Sequence, residues 1–576
     1  MTNLYSSPYD GCQKHQEAVI IFLRKHVVKY GDAEYVSYRL CRTVREGGKV
    51  RQELVANLGK LSETEAARIG RQLLVIAGKL PAEPAEPQQG PGYLYGGPLL
   101  VKALMQLADL EGLLRPLGET RRRLDLPRTL TVALCAQLLA PGSELSTSHW
   151  QTKLLSTRAP YDIPYHHFLR ALDVLADHHH RLEDGLFSRV QHLFNQRVDV
   201  VFYDLTSSYF EGAGPVGLAK RGYSRDGRPD CVQLVLGLAV TKDGFPIAYR
   251  IHPGNTVDAK TVQEIAADFR QRFRVDRCLV IGDSGLLSAD NAERLAELGL
   301  GYLMGLRAAN NKAAQELIAA TRDLPPAGQM GDVSYWPTQV RDGKAYIVLH
   351  SPGRHAKTLA IAQRKLDAVK PKLQQLERDV RAAKVREATT IATRATRLLV
   401  EAKATPLIEV EVGEGHFAWR EKALKLEAIH SDGGKYVLQT NQLDLDAQDA
   451  VAAYRQLEVV EDAFRRLKDT LQLRPLYHRN PQRVKGHVGL CVLALFLLRL
   501  LEQRLLAAGL CHTAEQAIEA VQELLAVPIE LSEGRSWPLP HVSATAQAVF
   551  RAVGVPDPKA CFRADSAALE NPADPT

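Results

Sequence analysis

Three carboxylates in this chain stand in settings that suit metal-dependent cleavage of nucleic acid. Asp204 in VDVVFYDLTSSYF and Asp283 in CLVIGDSGLLS each follow a short apolar, β-branched run and precede turn-forming residues. We expect both at the carboxyl ends of buried strands, where open α/β sheets gather their ligands. Glu461, in YRQLEVVEDAFRRLK, is expected on a long amphipathic helix. Phosphodiester cleavage and transfer use divalent cations about 3.5–4 Å apart, held by oxygen donors from separate elements, and these three residues meet that need.

The predicted helix around Glu461 presents five functional side chains on one face. They follow one another at spacings of four, three, four and three residues: Tyr454, Glu458, Glu461, Arg465 and Lys468. Such spacings place side chains on the same side of a helix, which then offers a metal ligand and two phosphate-binding cations. Glu458 shares this face and competes with Glu461 as the ligand. For Arg465 and Lys468 the alternative is an ordinary solvent-facing charge pattern.

Other polar residues favour structural roles. Successive helical residues point in different directions, so His178–His180 are interpreted as a polar helix face or helix end rather than a metal site. His487 opens an apolar helix, where a capping or core role is favoured over catalysis. Ser207 and Ser208 lack a triad pattern and are interpreted as turn residues. Strand-end aspartates are often caps or turn residues, an alternative that Asp283 retains. Four further aspartates are interpreted as loop or cap residues: Asp199, Asp226, Asp230 and Asp258.

Length and composition indicate a multidomain globular protein. A chain of 576 residues suggests about three or four domains. Its net charge of +7 and its pI near 8.8 lean toward a polyanionic partner. The eight cysteines are scattered without a CxxC pair, which favours reduced thiols over zinc knuckles or disulfides. The N-terminus lacks a signal-peptide pattern, and the apolar run GLCVLALFLLRLL meets Arg499 before the roughly 20 residues that a bilayer requires. We therefore expect a buried core helix and no membrane partner.

The first third of the chain is predicted to hold two modules. Residues 33–58 alternate apolar and polar residues around Gly47-Gly48, which predicts a β-hairpin. Ser62 and Glu65 form a capping-box pattern for a helix that ends near Gly78. We expect an N-terminal hairpin and helix module over 1–80, a candidate for DNA binding, followed by a Pro-rich linker over 81–92. Helical spacing of apolar residues predicts a helical domain over 93–195.

After residue 195 the apolar periodicity changes to that of strands. Runs at 198–203, 232–241 and 245–251, the last two joined by a hairpin turn at 242–244, predict three antiparallel strands. A helix at about 258–273, the run CLVIGD, a second helix from Ser288 to near Gly299 and the strand GYLMGLR follow. The order βββαβαβ, with aspartates on the first and fourth strands, is the ribonuclease-H-like pattern. This first part of the core spans 196–309.

The predicted fold is a multidomain α/β protein whose ribonuclease-H-like mixed sheet is interrupted by a β-containing insertion. The insertion, over 310–434, mixes strands with one long Lys/Arg-rich helix from about 357 to 403. The core resumes over 435–505 with the glutamate-bearing helix. Residues 506–576 are predicted as a C-terminal helical region whose polar tail, from about Asp557, is frayed.

These motifs together resemble the DDE transposases of bacterial insertion sequences, in the insertion-sequence-four superfamily. YDLTSSYFEG resembles the motif of the first Asp, and VIGDSGLLSADN that of the second. The stretches GYSRDGRPDCVQLVLGLAVTKDGFPI and HPGNTVDAKT resemble the segment between them. A long insertion between the second Asp and the Glu is also typical of the group. The resemblance covers roughly residues 93–505.

The third motif departs from the family pattern at one position. The family has a Tyr, an Arg, the Glu and a Lys along this helix, and Tyr454, Glu461 and Lys468 fit. Leu457 stands where the Arg is expected. Arg455 and Arg465 are the two candidates to supply the missing charge.

The resemblance implies how such a protein would act. Asp204, Asp283 and Glu461 would be catalytic metal ligands for Mg²⁺, with Mn²⁺ as a substitute, in an in-line displacement at phosphorus. Its partners would be double-stranded DNA, as terminal inverted repeats and target, and a second copy in a homodimer that holds two ends together. The expected location is the bacterial cytoplasm, in association with the nucleoid. The residues expected to contact DNA or phosphate are Tyr454, Arg465, Lys468 and Arg225.

The sequence leaves two alternative functions open. It also does not identify which segment recognises the DNA sequence. One is a related nuclease that cleaves without strand transfer, and the other is a transposase-derived protein that binds DNA without catalysis. Each basic segment is either a DNA contact or a solvated charged face. The candidates are Arg39, Arg42, Arg45, Lys49 and Arg51; Arg121–Arg123; Arg364, Lys365, Arg378, Arg381 and Lys384; and Arg479, Arg483 and Lys485.

Overall fold

The computed structural model describes most of the chain. The described residues are 20–30, 33–46, 49–76, 88–118, 124–155, 161–194, 200–256, 261–273, 279–282, 289–306, 308, 311–531 and 534–570. They fall in two compact units. One is drawn from Met1–Tyr93, Leu525–His541 and Lys559–Thr576, and the other from Leu94–Leu524 and Val542–Pro558.

The N-terminal described residues form a three-stranded antiparallel sheet and a helix. The elements are β1 (Ile20–Tyr30), β2 (Ala33–Glu46), β3 (Lys49–Gly59) and α1 (Glu63–Ile76). Strand β2 is central, so the predicted hairpin is confirmed and β1 adds a strand; Gly47-Gly48 lies outside the described residues. The Glu65 N–H donates to Ser62 Oγ (3.2 Å) and the Ser62 N–H donates to Glu65 Oε2 (2.8 Å), which confirms the capping box.

Two short strands and six helices follow, where helical spacing predicts a helical region. They are β4 (Gln88–Gln89), β5 (Tyr93–Leu94), α2 (Gly96–Leu107), α3 (Leu110–Gly118), α4 (Leu126–Leu139), α5 (Glu144–Trp150), α6 (Tyr165–Asp177) and α7 (His179–Phe194). Asp125 and Ser143 cap α4 and α5 by accepting backbone N–H bonds. Since α7 begins at His179, the predicted helix-end reading of His178–His180 is confirmed.

The next segment contributes most of a ten-stranded sheet. Its elements are β6 (Val200–Tyr209), β7 (Gln233–Thr241), β8 (Pro246–Pro253), α8 (Val262–Gln271), β9 (Leu279–Gly282), α9 (Ala289–Glu297), β10 (Gly301–Leu306), α10 (Lys312–Ala319), β11 (Gly328–Met330), β12 (Val333–Tyr335), β13 (Gln339–Arg341) and β14 (Lys344–His350). Strand β7, QLVLGLAVT, is buried along its whole length, as its continuous apolar run requires.

A small body with its own core follows. Its elements are α11 (Pro352–Arg381), α12 (Ala388–Glu401), β15 (Ile408–Gly413), β16 (His416–Glu421) and α13 (Ala423–Asp432). The prediction of one basic helix over 357–403 is wrong, because the chain turns after Arg381 with Ala383 at positive φ. The turn lets the apolar faces of α11 and α12 pack together, with Leu373 and Ile391 buried between them and β16.

The central sheet then closes with β17 (Lys435–Thr440). The strand order is β11-β12-β14-β17-β10-β9-β6-β7-β8, with β13 paired to β14. Strands β6, β9 and β10 run parallel to one another, while β14 and β17 pair antiparallel, Ala345 opposite Thr440. Strands from the predicted insertion therefore extend the same sheet, because β17 offers them a free edge beside β10.

The remaining elements are mostly helical. They are α14 (Ala447–Arg455), α15 (Glu458–Arg465), a π-helical turn (Arg466–Thr470), α16 (Pro481–Ala507), α17 (Ala514–Gln522), β18 (Leu525–Ala526), β19 (Ile529–Leu531), β20 (Gly534–Ser536), α18 (Ala544–Ala552) and α19 (Pro558–Glu570). By length and composition α16 is apolar enough to cross a membrane, yet 89% of that apolar window is buried within the protein. It packs against α4 and α6, as expected of a core helix.

Two sequence predictions, that of the linker and that of the frayed C-terminal tail, are corrected. Gln88–Gln89 pairs with β19, and the Gly90 N–H donates to the Pro528 carbonyl (2.9 Å), so this end of the predicted linker is bound into a sheet. The predicted frayed tail is instead helix α19 as far as Glu570. Pro558 provides a favourable first helical residue and Phe562 is fully buried, which offsets the polarity of the segment.

A buried charge network ties α7 to the sheet. The Glu183 carboxylate is fully buried and accepts the backbone N–H of Tyr249 on β8 (2.9 Å). It also pairs with Arg250 (2.7 Å) and with Arg272 (2.8 Å). Asp268 pairs with both arginines and Asp184 with Arg272, so several carboxylates share the compensation of these charges.

Candidate active site

Asp204 lies within β6 rather than at its end. The predicted strand stops at residue 203, but Leu205 to Tyr209 continue the antiparallel ladder with β7. Ser207 and Ser208 are therefore fully buried strand residues, and their prediction as turn residues is wrong. On its other side β6 pairs with β9 only as far as Phe202 opposite Ile281. Asp204, half-buried, lies two residues after this last described pair with β9.

Asp283 lies outside the described residues. Strand β9 ends at Gly282, the residue immediately before it. Strands β6 and β9 are hydrogen-bonded neighbours that run in the same direction. The two strands that lead to the predicted aspartates are therefore adjacent in the sheet.

Glu461 lies in the first turn of a short helix, not on one long helix. Helix α14 ends at Arg455 and α15 begins at Glu458. Between them the Leu457 N–H bonds the Tyr454 carbonyl and the Val460 N–H bonds the Leu457 carbonyl, both at 3.1 Å. These backbone hydrogen bonds span three residues instead of the four of an α-helix. The side-chain spacing therefore no longer places Tyr454 on the same helix face as Glu461.

Helix α15 brings Glu461 to the strand that carries Asp204. It packs on β6 and β7, and its apolar side, Val460 with Ala463 and Phe464, is buried. Glu458 and Glu461 are both exposed, so burial does not separate the two candidate ligands. The contact with β6 is what joins the predicted glutamate helix to the predicted aspartate strand.

The predicted DNA contacts on this segment differ in their surroundings. Tyr454 packs over Gly305 of β10, where an added Cβ would lie 2.6 Å from its hydroxyl. Arg465 is exposed and pairs with Asp462. Arg455, a candidate for the missing family arginine, donates to the Met330 carbonyl at the end of β11. Arg465 is thus the more exposed of the two candidate cations.

Lys468 is held in a buried ion pair that sequence did not predict. Its Nζ lies 2.7 Å from Asp226 Oδ1, and the two side chains are only 10% and 3% exposed. Arg474 lies 3.2 Å from the same oxygen. Burial lowers the pKa of Lys468, against the opposing effect of Asp226. Asp226, interpreted from sequence as an ordinary loop residue, therefore ties the β6–β7 connection to the π-helical turn after α15.

A second network fixes α15 beside Glu461. Asp462 pairs with Arg465, with Arg466 and with Arg499 of α16. Burial acts to raise the pKa of Asp462, but the hydrogen bond from Arg465 and the charge of Arg499 outweigh it and hold the pKa at about 2. Asp462 is therefore ionised at all ordinary pH values, and its contacts with α16 persist.

A buried Glu–His–His cluster was also missed by sequence reasoning. Glu144 Oε1 lies 2.9 Å from His487 Nδ1, and Glu144 Oε2 lies 3.1 Å from His478 Nε2. Oxygen and imidazole donors within 4.8 Å of one another are of the kind that zinc binds. Burial opposes the charge of His487, yet Cys491 and then Glu144 raise its pKa well above the usual value. Burial likewise opposes Glu144, but His487 and His478 lower its pKa. The cluster therefore also satisfies itself as an ion-pair network, and the predicted core role of His487 is confirmed.

Comparisons with known proteins point to one family. Residues 197–497, more than half of the chain, match the family model of the transposase DDE domain, and residues 23–81 match that of the IS1634 family transposase N-terminal domain. Among solved structures, a cryo-EM structure of a piggyBac transposase synaptic complex with hairpin DNA is similar at 10% identity, with 85% of this chain and 89% of that chain covered. Its TM-score of 0.38 is too low to carry an argument. No curated protein matches the chain.

Proposed function

Because the chain belongs to the transposase DDE-domain family and is a DDE-type DNA transposase, we propose that Asp204, Asp283 and Glu461 are its catalytic carboxylates. The observation that carries this assignment is the adjacency of their elements. Strands β6 and β9 lead to the two aspartates as parallel neighbours, and α15 packs on β6. Acids from separate elements that meet at one place suit a divalent-metal site.

DDE transposases use divalent metal ions, and we propose Mg²⁺ here, with Mn²⁺ as a substitute. The donor set fits, because carboxylate oxygens are the ligands that these hard cations prefer. When bound, the ions would activate the attacking hydroxyl and stabilise the leaving oxygen. Asp204 contributes a carboxylate from a rigid strand, and Glu461 contributes an exposed one from a helix held by the Asp462 network.

We propose that β6 to β10 form a ribonuclease-H-like core. The order β8-β7-β6-β9-β10, with the first three strands antiparallel and the next two parallel to β6, supports this arrangement. In a ribonuclease-H-like core the strand that comes first in the chain, here β6, lies at the centre of the sheet. Asp204 is then on the central strand, with the strand leading to Asp283 beside it.

DNA is the substrate, and we propose that it is held as terminal inverted repeats and target by a homodimer. Two ends must be joined in one reaction, which requires two active sites in one assembly. The proposed phosphate contacts are Arg225 and Arg465, whose side chains are exposed, together with Tyr454. A phosphate at Lys468 would have to compete with Asp226. The N-terminal module over 1–80 is proposed as a DNA-binding domain, and the bacterial nucleoid as the place of action.

The test is cleavage and strand transfer on labelled DNA that carries the element's ends. Wild type and the variants Asp204→Ala, Asp283→Ala and Glu461→Ala are compared with Mg²⁺ and with EDTA, and binding to the same DNA is measured in parallel. Glu458→Ala is the matched control, since Glu458 lies in the same exposed turn. We expect loss of cutting in the three variants, retained binding, and activity in the control. Normal cutting by Glu461→Ala and none by Glu458→Ala would transfer the role to Glu458.

A further inference from the structure

The connection between β6 and β7, residues 210–232 and here called the β6–β7 loop, exposes an aromatic side chain on the segment that follows the strand of Asp204. Tyr223 is 80% exposed and Val216 is 99% exposed. Single exposed apolar residues are common and need no explanation. Tyr223 differs because the backbone around it is firmly held and because cations surround it.

Hydrogen bonds fix the backbone on both sides of Tyr223. The Gln233 side chain donates to the Gly222 carbonyl (2.7 Å), and the Arg225 N–H donates to Ser207 Oγ on β6 (2.8 Å). Gly222 is packed so closely that an added Cβ would lie 1.9 Å from the Gly254 carbonyl oxygen. A side chain presented from a rigid backbone loses little further conformational entropy when it binds a ligand.

The loop is also tied to both candidate catalytic elements. Ser207, which accepts the Arg225 N–H, lies three residues after Asp204 on β6. Asp226 binds Lys468 in the turn that follows α15. The loop that carries Tyr223 is therefore bound to the strand of Asp204 and to the turn that follows the helix of Glu461.

The exposed charges around Tyr223 are positive. Lys220, Arg221 and Arg225 are exposed, and the Arg225 guanidinium lies 5.8 Å from the centre of the Tyr223 ring. The acidic residues near it are already paired, Asp226 with Lys468 and Asp230 with Arg228, while exposed Glu211 lies at the start of the loop. An exposed aromatic ring among cations is the composition of surfaces that stack nucleobases and bind the adjoining phosphates.

We propose that Tyr223 stacks on an unpaired nucleobase of the DNA end beside the scissile phosphate, while Lys220 and Arg221 bind the adjoining phosphates. The proposal rests on the function proposed above, since it needs DNA at the site of Asp204 and Glu461. It assigns the β6–β7 loop as a binding site for single-stranded DNA at the border of the active site. Base stacking tolerates any sequence, because every base has a π-face.

The test uses the full-length protein and two labelled oligonucleotides, one with an unpaired end that carries 2-aminopurine and one fully paired. Tyr223→Ala should weaken binding of the unpaired probe by about 5- to 150-fold, the equivalent of one stacked base. It should also abolish the protein-induced change in 2-aminopurine fluorescence. Tyr223→Phe keeps the ring and should bind as wild type. Val216→Ala, which truncates an exposed apolar side chain of the same loop, should bind unchanged.

Three outcomes would overturn the proposal. Tyr223→Ala could bind the unpaired probe as tightly as wild type, Tyr223→Phe could lose as much as Tyr223→Ala, or the loss could be equal on the fully paired probe. Cleavage by Asp204→Ala, measured beside binding by Tyr223→Ala, separates this proposal from the catalytic one. If Asp204→Ala cuts DNA normally, the catalytic assignment fails whatever Tyr223 does. If Asp204→Ala is inactive and Tyr223→Ala binds normally, only the stacking proposal fails.

Discussion

The ion pair of Asp226 with Lys468 predicts an unequal response to two substitutions. At 2.7 Å and an effective dielectric constant near 20, the gross attraction is about 6 kcal/mol, most of which offsets the cost of removing both charges from water. Breaking the pair from one side is more informative. Asp226→Asn keeps the shape of the side chain but leaves the buried Lys468 without its carboxylate partner, while Arg474 keeps Asp469 (2.9 Å), and should cost about 3–5 kcal/mol.

Lys468→Met should cost less than Asp226→Asn. Arg474 stays 3.2 Å from the Asp226 carboxylate, so the buried negative charge keeps one partner. The expected loss is that of one charged hydrogen bond, about 1.5–3 kcal/mol. In the double variant both charges are gone, and the loss should be smaller than the sum of the two single losses because the residues are in direct contact.

Hydrogen exchange of peptides over 458–474 is the suitable measurement, because a chain of several domains does not have to unfold in one step. Asp230→Asn is the matched control in the same loop, since Asp230 pairs with Arg228 at the surface, and its exchange should match wild type. The reasoning is refuted if Asp226→Asn exchanges no faster than this control. It is equally refuted if Lys468→Met proves as damaging as Asp226→Asn.

Three further predictions concern other buried contacts. Glu144 contributes stability that is present above its unfolded pKa of about 4.3 and is lost as the pH falls through its lowered folded pKa. His487 contributes stability that is present below its unfolded pKa of about 6.5 and is lost as the pH rises through its raised folded pKa. The thermal midpoint should therefore be highest between these two pH values, and Glu144→Gln should flatten the decline above 6.5; an unchanged profile would contradict the pairing. Glu183→Ala removes the carboxylate shared by Arg250 and Arg272, while Asp268 still pairs with both arginines, and should cost about 1.5–3 kcal/mol, seen as faster hydrogen exchange in β8. Gly222→Ala forces a Cβ against backbone and should loosen residues 218–228 in hydrogen exchange, whereas Gly70→Ala, where the Cβ meets open space, should not.

The sequence predicted those parts of the fold that depend on local patterns. The strand-like runs at 232–241 and 245–251 predicted a hairpin, and β7 and β8 form it around Gly244, which has the positive φ that such a turn requires. Helical spacing likewise predicted that the segment 93–195 is mainly helical, and α2 to α7 lie there. The break at Leu457 escaped prediction because helical spacing continues through it on both sides. Only the tight backbone bonds of residues 454–460 reveal it.

Contacts between residues distant in sequence were not predictable from periodicity. Asp226 and Lys468 are 242 residues apart, and Glu144 and His487 are 343 apart. Charged residues in GYSRDGRPD resemble an ordinary polar loop until the fold brings Lys468 to them. In the sequence, the many charged residues between the glycines and the proline of this segment indicate a structured loop. They do not identify the residue with which the loop pairs.

The position of Glu461 depends on contacts that its neighbours make at both ends of α15. Asp462, the next residue, binds Arg466 of the following turn and Arg499 of α16, and Arg466 in turn binds Glu502 of α16 (2.6 Å) and Glu515 of α17 (2.7 Å). Beyond this network Lys468 is fixed by Asp226 of the β6–β7 loop. An exposed carboxylate on a short helix would otherwise be a poorly placed metal ligand, since a ligand set must be held within about 0.5 Å of its working geometry. The two charge networks supply that rigidity from the core helix on one side and from the loop after Asp204 on the other. This arrangement would allow a helix of eight residues to hold the carboxylate that we propose as the third of the site.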